Sequence, residues 1–169
     1  MNIKAQAQVI STILLILLAI SVAAVIMAFV IPFVRNQLSS SDCFDVADKL
    51  EITNHPQYTC YDDSNSFDKN MFVQVRLKDT DKILGFTIEL GGPSTETFKI
   101  KEGESTAGVG MYKQVKGDPL ELPGQNQERT YNISRSEIPQ LIRIYPIIEG
   151  DKTCSESSSI TTVNDCFII

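Results

Sequence analysis

Polar and apolar positions divide this 169-residue chain very unequally. Val9 to Val34 reads VISTILLILLAISVAAVIMAFVIPFV, interrupted only by Ser11, Thr12, Ser21 and Pro32. Apolar residues fall on every side of a helical wheel rather than on one stripe, so each face must meet lipid or other apolar surface. As an α-helix the stretch measures roughly 39 Å, longer than the roughly 30 Å hydrocarbon core of a bilayer. No glycine occurs before Gly85. Pro32 predicts a kink or a stop near the far end of the helix.

After this run the periodicity changes. Asn36 to Ser41, NQLSSS, reads as a polar joint. Asp42 predicts either the cap of a brief helix through Leu50, with Asp42 and Asp45 at its positive end, or a structured loop. Met71 to Lys78, MFVQVRLK, sets Phe72, Gln74 and Arg76 against Val73, Val75 and Leu77, the period-two signal of a half-buried strand. Ile83 to Leu90 follows the turn Asp79-Thr80-Asp81-Lys82 and predicts the second arm of an antiparallel hairpin. Thr97 to Lys101, Tyr112 to Val115, Arg129 to Ile133, Leu141 to Ile148 and Ser159 to Ile169 are further strand candidates. Gly91-Gly92-Pro93, Gly117-Asp118-Pro119 and Pro123-Gly124 punctuate them. The expected fold class is α+β: a long N-terminal hydrophobic helix followed by an all-β, β-sandwich-like head.

Charge follows the same division. Residues 1 to 35 hold 26 apolar residues and two charged ones, Lys4 and Arg35. All 21 acidic residues and 13 of the 15 basic ones lie beyond Arg35, so the head carries −8 while the whole chain carries −6. Such a balance disfavours a nucleic-acid partner. Thirty uncharged residues from Ala5 to Val34 disfavour a cytosolic enzyme, and the aromatic and strand-like runs of the head disfavour a disordered acidic tail.

The apolar run is too long for a cleaved secretory signal peptide, whose core spans about 7 to 15 residues. An ordinary N-terminal membrane anchor satisfies the hydropathy. The residues before the run suggest something more specific. Lys4-Ala5-Gln6-Ala7-Gln8 leads directly into Val9-Ile10-Ser11-Thr12-Ile13-Leu14-Leu15. This resembles the class III signal of archaeal type IV pilin-like proteins, including archaellins. The resemblance implies cleavage by a membrane prepilin peptidase after Ala5, with Lys4 at −2, Ala5 at −1 and Gln6 as the mature N-terminus. Such a cut removes the leader and keeps the helix. Bacterial type IV pilins usually carry an early Glu, whereas no acidic residue precedes Asp42 here, which places the resemblance on the archaeal side. The stretch VRLKDTDKILGFTIELGG, with Leu122 to Gln125, LPGQ, is loosely similar to the β-sandwich heads of that family.

Four cysteines in an exported acidic domain predict two disulfides, since no C-x-x-C pair suggests zinc. Three pairings are possible. Sequence proximity favours Cys43 with Cys60 and Cys154 with Cys166, each loop adding roughly 3 kcal/mol on the chain-entropy model. Asn132-Ile133-Ser134 fits the N-glycosylation sequon.

Other chemistry is not encoded in recognisable form. His55, the sole histidine, precedes Pro56 in a polar stretch without metal-ligand spacing. Asp62, Asp63, Asn65 and Asp68 resemble part of a calcium loop, but the central glycine is missing and Gln74 stands where the closing Glu belongs. No nucleophile elbow, P-loop or dinucleotide glycine pattern occurs. Lys49, Lys69, Lys78 and Lys82 alternate with acids as on a solvated face. No catalytic residue, metal or cofactor is therefore expected.

These readings lead to an expected organisation of residues 1–5 as leader, 6–38 as hydrophobic helix and 39–169 as extracellular β-rich head. The resemblance implies a filament subunit at the cell surface, made as a precursor in the cytoplasmic membrane and polymerised with its own copies through the helix. Ala19, Ser21, Ala23, Ala24 and Ala28 would permit close helix contact. Its further implied partners are the prepilin peptidase, an assembly ATPase and a membrane platform. The alternatives are a single-pass anchored binding module and a minor pilin or adhesin.

Overall fold

The computed structural model describes residues 3–31, 33–34, 42–63, 69–79 and 81–166. The chain forms two compact units, Met1–Ser41 and Asp42–Ile169.

The first unit is helix α1, Ile3–Val25, continued by a π-helical turn at Ile26–Val30. Ile13–Val30 has a mean hydropathy of 3.2, and none of it is buried within the chain. Large side chains such as Leu14, Leu17, Met27 and Phe29 are exposed on all sides. That exposure is what a helix apolar on all sides, without a polar face, produces. Ser21 returns its hydroxyl to the carbonyl of Leu18 at 2.8 Å, so the one polar side chain in the middle of the run satisfies itself within the helix. In sequence the wide turn comes just before Pro32, a residue type with no N–H to donate. Residues 35–38, the expected end of the helix, lie outside the described residues.

The second unit is built from short strands in two sheets. In chain order they are β1 (Leu50–Ile52), β2 (Cys60–Asp62), β3 (Asn70–Leu77), β4 (Gly85–Gly91), β5 (Glu96–Lys101), β6 (Val109–Met111), β7 (Gln127–Ser134), β8 (Leu141–Ile148), β9 (Lys152–Thr153), β10 (Ser158–Ile160) and β11 (Asn164–Asp165). One sheet has the order β11-β2-β3-β7-β6, with β1 also on β3; the other runs β10-β8-β4-β5, with β9 also on β8. Among the described residues only β11 and β2 pair in parallel. Within the first sheet, β1 and β2 share one edge of β3 end to end. Buried Thr59 closes the gap between them: its hydroxyl donates to Thr53 C=O at 2.6 Å and accepts from Gln74 N–H at 3.1 Å.

Alternation decides which side chains become core. On β3 the inward set is Met71, Val73, Val75 and Leu77; on β4 it is Phe86, Ile88 and Leu90; on β8 it is Ile142 and Ile144. Residues of both sheets form a single buried cluster. Phe86 of β4 meets Tyr131 of β7 edge to face, ring centroids 5.4 Å apart. The Tyr131 hydroxyl donates to Glu121 C=O at 2.7 Å, which satisfies the one polar atom this ring brings into the core.

Three expectations need correcting. Strands β3 and β4 do not form a hairpin, because β3 pairs with β1, β2 and β7 while β4 pairs with β5 and β8. Both edges of β3 are already taken, so the segment after Leu77 crosses to the other sheet. The helix expected from Asp42 to Leu50 is one helical turn at 42–44 followed by turns, and Leu50 already opens β1. Tyr112–Val115 is not a strand: β6 ends at Met111, and Gln114 N–H turns back to Met111 C=O at 2.9 Å.

Candidate functional site

The two disulfides are Cys43–Cys154 and Cys60–Cys166, with Cα–Cα distances of 5.3 and 5.1 Å. The pairing expected from proximity is therefore wrong. Each cysteine near the start of the head bonds to one near its end, because the end segments lie side by side. Cys166 N–H donates to Tyr61 C=O at 3.0 Å beside the β2–β11 pair, and the Ser157 hydroxyl reaches Leu50 C=O at 2.6 Å.

Lys4, Ala5 and Gln6 lie in the first turns of α1, with no break in the helix between them and the apolar run. Asn132 stands in the middle of β7, opposite Phe72 of β3 on one side and Gly110 of β6 on the other. Its Oδ1 is shut from solvent and has no hydrogen-bond partner. The sequon's Ser134 accepts from Lys116 Nζ at 2.8 Å. The sequon is thus part of a strand paired on both sides rather than a loop.

The acidic stretch around Asp63 is organised around a cation of the protein itself. The Arg135 side chain is fully buried and donates from Nη2 to Asp63 Oδ1 at 2.6 Å and from Nε to Asn70 C=O at 3.3 Å. Its guanidinium carbon sits 5.4 Å from the Tyr61 ring centroid, and Nη1 is buried without a partner. A guanidinium on one of its would-be ligands opposes calcium binding. Asn65 and Asp68 of the partial calcium pattern lie outside the described residues. No group of three or more metal-ligating side chains occurs among the described residues. His55 accepts from Gln57 N–H through Nδ1 at 3.3 Å and packs 5.2 Å from the Tyr58 ring.

Two surfaces emerge that sequence reasoning missed. The outward face of the β3–β7–β6 region carries an aromatic row: His55, Tyr58, Tyr112 and Phe72 follow one another at ring separations of 5.2, 6.3 and 5.9 Å. Lys113 Nζ lies 5.3 Å from the centroid of Tyr112. The second surface surrounds Leu84, which is 53% exposed where the chain enters β4. Three concavities of about 330, 240 and 320 Å³ share Leu84 as a wall. Ile148, Leu77, Leu122 and Pro123 supply further apolar lining. Asp42, Glu149, Glu102, Glu104 and Asp151 outnumber Lys82 and Lys101 around them, giving the rim a net charge of −3.

Those two lysines are engaged. Lys82 reaches Asp45 at 2.7 Å, and Lys101 reaches Asp151 at 2.7 Å, where Lys99 also arrives at 2.5 Å. The Lys101 hydrogen bond and then that of Lys99 hold the Asp151 carboxyl below the usual carboxylate range, and Lys82 does the same for Asp45. Reciprocally, Asp151 raises Lys101 and Asp45 raises Lys82. Elsewhere Lys49 pairs with Asp79 and Lys78 with Glu51, the solvated charge pattern expected of this face.

Comparison with protein-family models, curated proteins and solved structures returned no match. An exposed apolar helix together with two disulfides fits a membrane-anchored or secreted protein.

Proposed function

We propose that this chain is the structural subunit of an archaeal type IV pilus-like surface filament. It would be cleaved after Ala5 and polymerise through the helix that starts at Gln6. The observation that carries this reading is a helix exposed on every side from Ile13 to Val30, in a run that has no charged residue between Ala5 and Val34 and follows Lys4-Ala5-Gln6 in sequence. Such a helix needs an apolar environment from outside its own chain. Lipid supplies it in the precursor, and copies of the same helix would supply it in a filament. Helices leaving lipid gain little from the hydrophobic effect, so close packing at Ala19, Ser21, Ala23, Ala24 and Ala28 would provide the preference for the fibre. Extraction then calls for an assembly ATPase and a membrane platform. On this reading the two sheets form a β-sandwich-like head outside the cell, stapled by its disulfides.

The test is the mature N-terminus combined with microscopy. Mass spectrometry of sheared surface fractions should find Gln6 first, and negative staining should show filaments containing this chain. An intact Met1 at the cell surface would refute the assignment. Lys4→Glu with Ala5→Leu should block processing and abolish the fibres.

The second reading is a membrane-anchored binding module or a minor, adhesive pilin. The aromatic row from His55 to Phe72 favours it, because a run of half-exposed rings suits the apolar face of an amphipathic ligand such as a sugar. Surface protein that retains its anchor and never appears in fibres would select it.

A further inference from the structure

Among the exposed apolar side chains of the head, Val115 is 72% exposed and stands between Lys113 and Lys116. Its turn is rigidly mounted. Gln114 N–H bonds to Met111 C=O and Gly117 N–H to Val109 C=O, each at 2.9 Å, while Lys116 Nζ reaches Asn70 and Ser134. A side chain on Gly110 would meet the Lys116 Cα and the Val115 carbonyl at 3.1 Å, so the turn packs directly on β6. From Tyr112 to Lys116 it carries two cations and no acid.

The concavities around Leu84 have the opposite character, with an apolar wall and a rim of net charge −3. The two features lie at opposite ends of one strand. Lys116 is tied to Asn70 at the start of β3, and Leu77 at its end lines the Leu84 surface. Seven residue steps separate them, roughly 23 Å. They cannot meet within one head.

We propose that the Val115 turn of one copy docks on the Leu84 surface of a second copy, with Lys113 facing the Glu149 and Asp42 rim. The proposal rests on the filament reading and deepens it by naming the contact between heads. Charge selects Val115 over Phe44 and Ile138. Phe44 lies between Asp42 and Asp45, and Ile138 follows Glu137, so both would bring acid to an acidic rim. A knob and socket on different parts of one molecule make a heterologous contact, which propagates into an open helical array when its rotation does not close. Head contacts of this kind would set the register of the polymer together with the helix packing at Ala19, Ser21, Ala23, Ala24 and Ala28.

The experiment uses the full chain in its native filaments. A photo-crosslinking p-benzoylphenylalanine at position 115 should join neighbouring copies and give a ladder on denaturing gels. Mass spectrometry should place the bond on peptides containing Leu84, Leu122 or Ile148. Val115→Asp and Leu84→Asp should each lower filament yield about tenfold, the scale of losing one buried apolar anchor, while processed protein with both disulfides still accumulates. Lys113→Glu should lower yield, and Glu149→Lys in the same chain should restore it. Crosslinks to the apolar helix, crosslinks between two Val115 turns, or full fibre yield from Val115→Asp would overturn the contact while leaving the filament reading intact. Absence of fibres from the unaltered protein would instead overturn the filament reading, and this proposal with it.

Discussion

Cys60 is joined to Cys166 across 106 residues, at the point where the two-residue strand β11 runs parallel to β2. Cys43 and Cys154 close a second span of 111 residues that overlaps the first. Both bonds attach the late, short strands β9, β10 and β11 to the beginning of the head. Very short strands bring few ladder bonds of their own, so covalent attachment is what keeps them in register.

Removing either bond by paired Cys→Ala substitution is predicted to cost about 2–5 kcal/mol. Because the loops overlap, the bond that remains after one removal still holds the ends of the other loop near each other through the short stretches 43–60 and 154–166, so each single removal frees little, and the double variant should lose more than the sum. Urea denaturation of the single and double variants checks this. Full additivity would count against overlapping loops as the source of stability. Hydrogen exchange should show β11 losing protection in Cys60→Ala/Cys166→Ala while β3 and β7 keep theirs.

Asp63 and Arg135 yield an asymmetric prediction. The Arg135 side chain has no exposure, whereas that of Asp63 keeps 34%. Asp63→Ala strands a buried cation whose Nη1 already lacks a partner, and should cost on the order of 2 kcal/mol, below the roughly 3–5 kcal/mol of a fully buried pair. Arg135→Met removes the charge, keeps most of the volume, and should cost less. Denaturant titration of both variants tests the order. A larger loss for Arg135→Met would mean that the guanidinium's bond to Asn70 C=O and its contact with Tyr61 outweigh the charge it buries.

Some of this architecture was legible from residue order and some was not. Strand β8 runs from Leu141 to Ile148 as its apolar pattern predicts, and β3, β5 and β7 differ from their expected bounds by one or two residues. Period two records which side of a strand is buried. It carries no information about the neighbour, which is why β3 and β4 read as a hairpin although they belong to different sheets. Cysteine pairing failed for a related cause: proximity in sequence stands in for proximity in space only when the intervening chain has no pairing of its own. Residues 43 to 60 contain β1, which is committed to β3. The Leu84 surface was invisible because its walls come from β3, β8 and the segment at 122–124, which only the crossing between sheets brings together.

Charge pairs around Asp151 and Asp45 define a pH window. Both carboxyls sit below their ordinary value of 3.8, so their contribution is present above that pH and disappears as pH falls through the lowered values. Lys101, Lys82 and Lys49 sit above 10.5, so theirs is present below that pH and lost as pH rises through the raised values. Melting temperature should therefore be flat between, and fall at both ends. Asp151, Asp45 and Lys82 are solvent-exposed and Lys101 and Lys49 partly so, so salt should flatten the profile, and Asp151→Asn should shrink the acid limb. An acid limb unchanged by either treatment would place its origin elsewhere in the head.

Gly110 and Gly103 separate two ways in which a glycine can be required. At Gly110 a methyl group would meet backbone atoms of Lys116 and Val115 at 3.1 Å, and backbone cannot swing aside as a side chain can. Gly110→Ala should therefore lift the Val115 turn from β6 and cost about 1–3 kcal/mol by overpacking. At Gly103 nothing lies within 4 Å, but φ is +71°, so Gly103→Ala pays only for a left-handed backbone, about 1–2 kcal/mol. Hydrogen exchange distinguishes them: the Gln114 and Gly117 amides, which bond back to Met111 and Val109, should lose protection in Gly110→Ala and keep it in Gly103→Ala. Equal loss in both variants would show that the turn loosens with global stability rather than through its contact with β6. The Val115 turn would then not be held rigidly enough to act as a docking element.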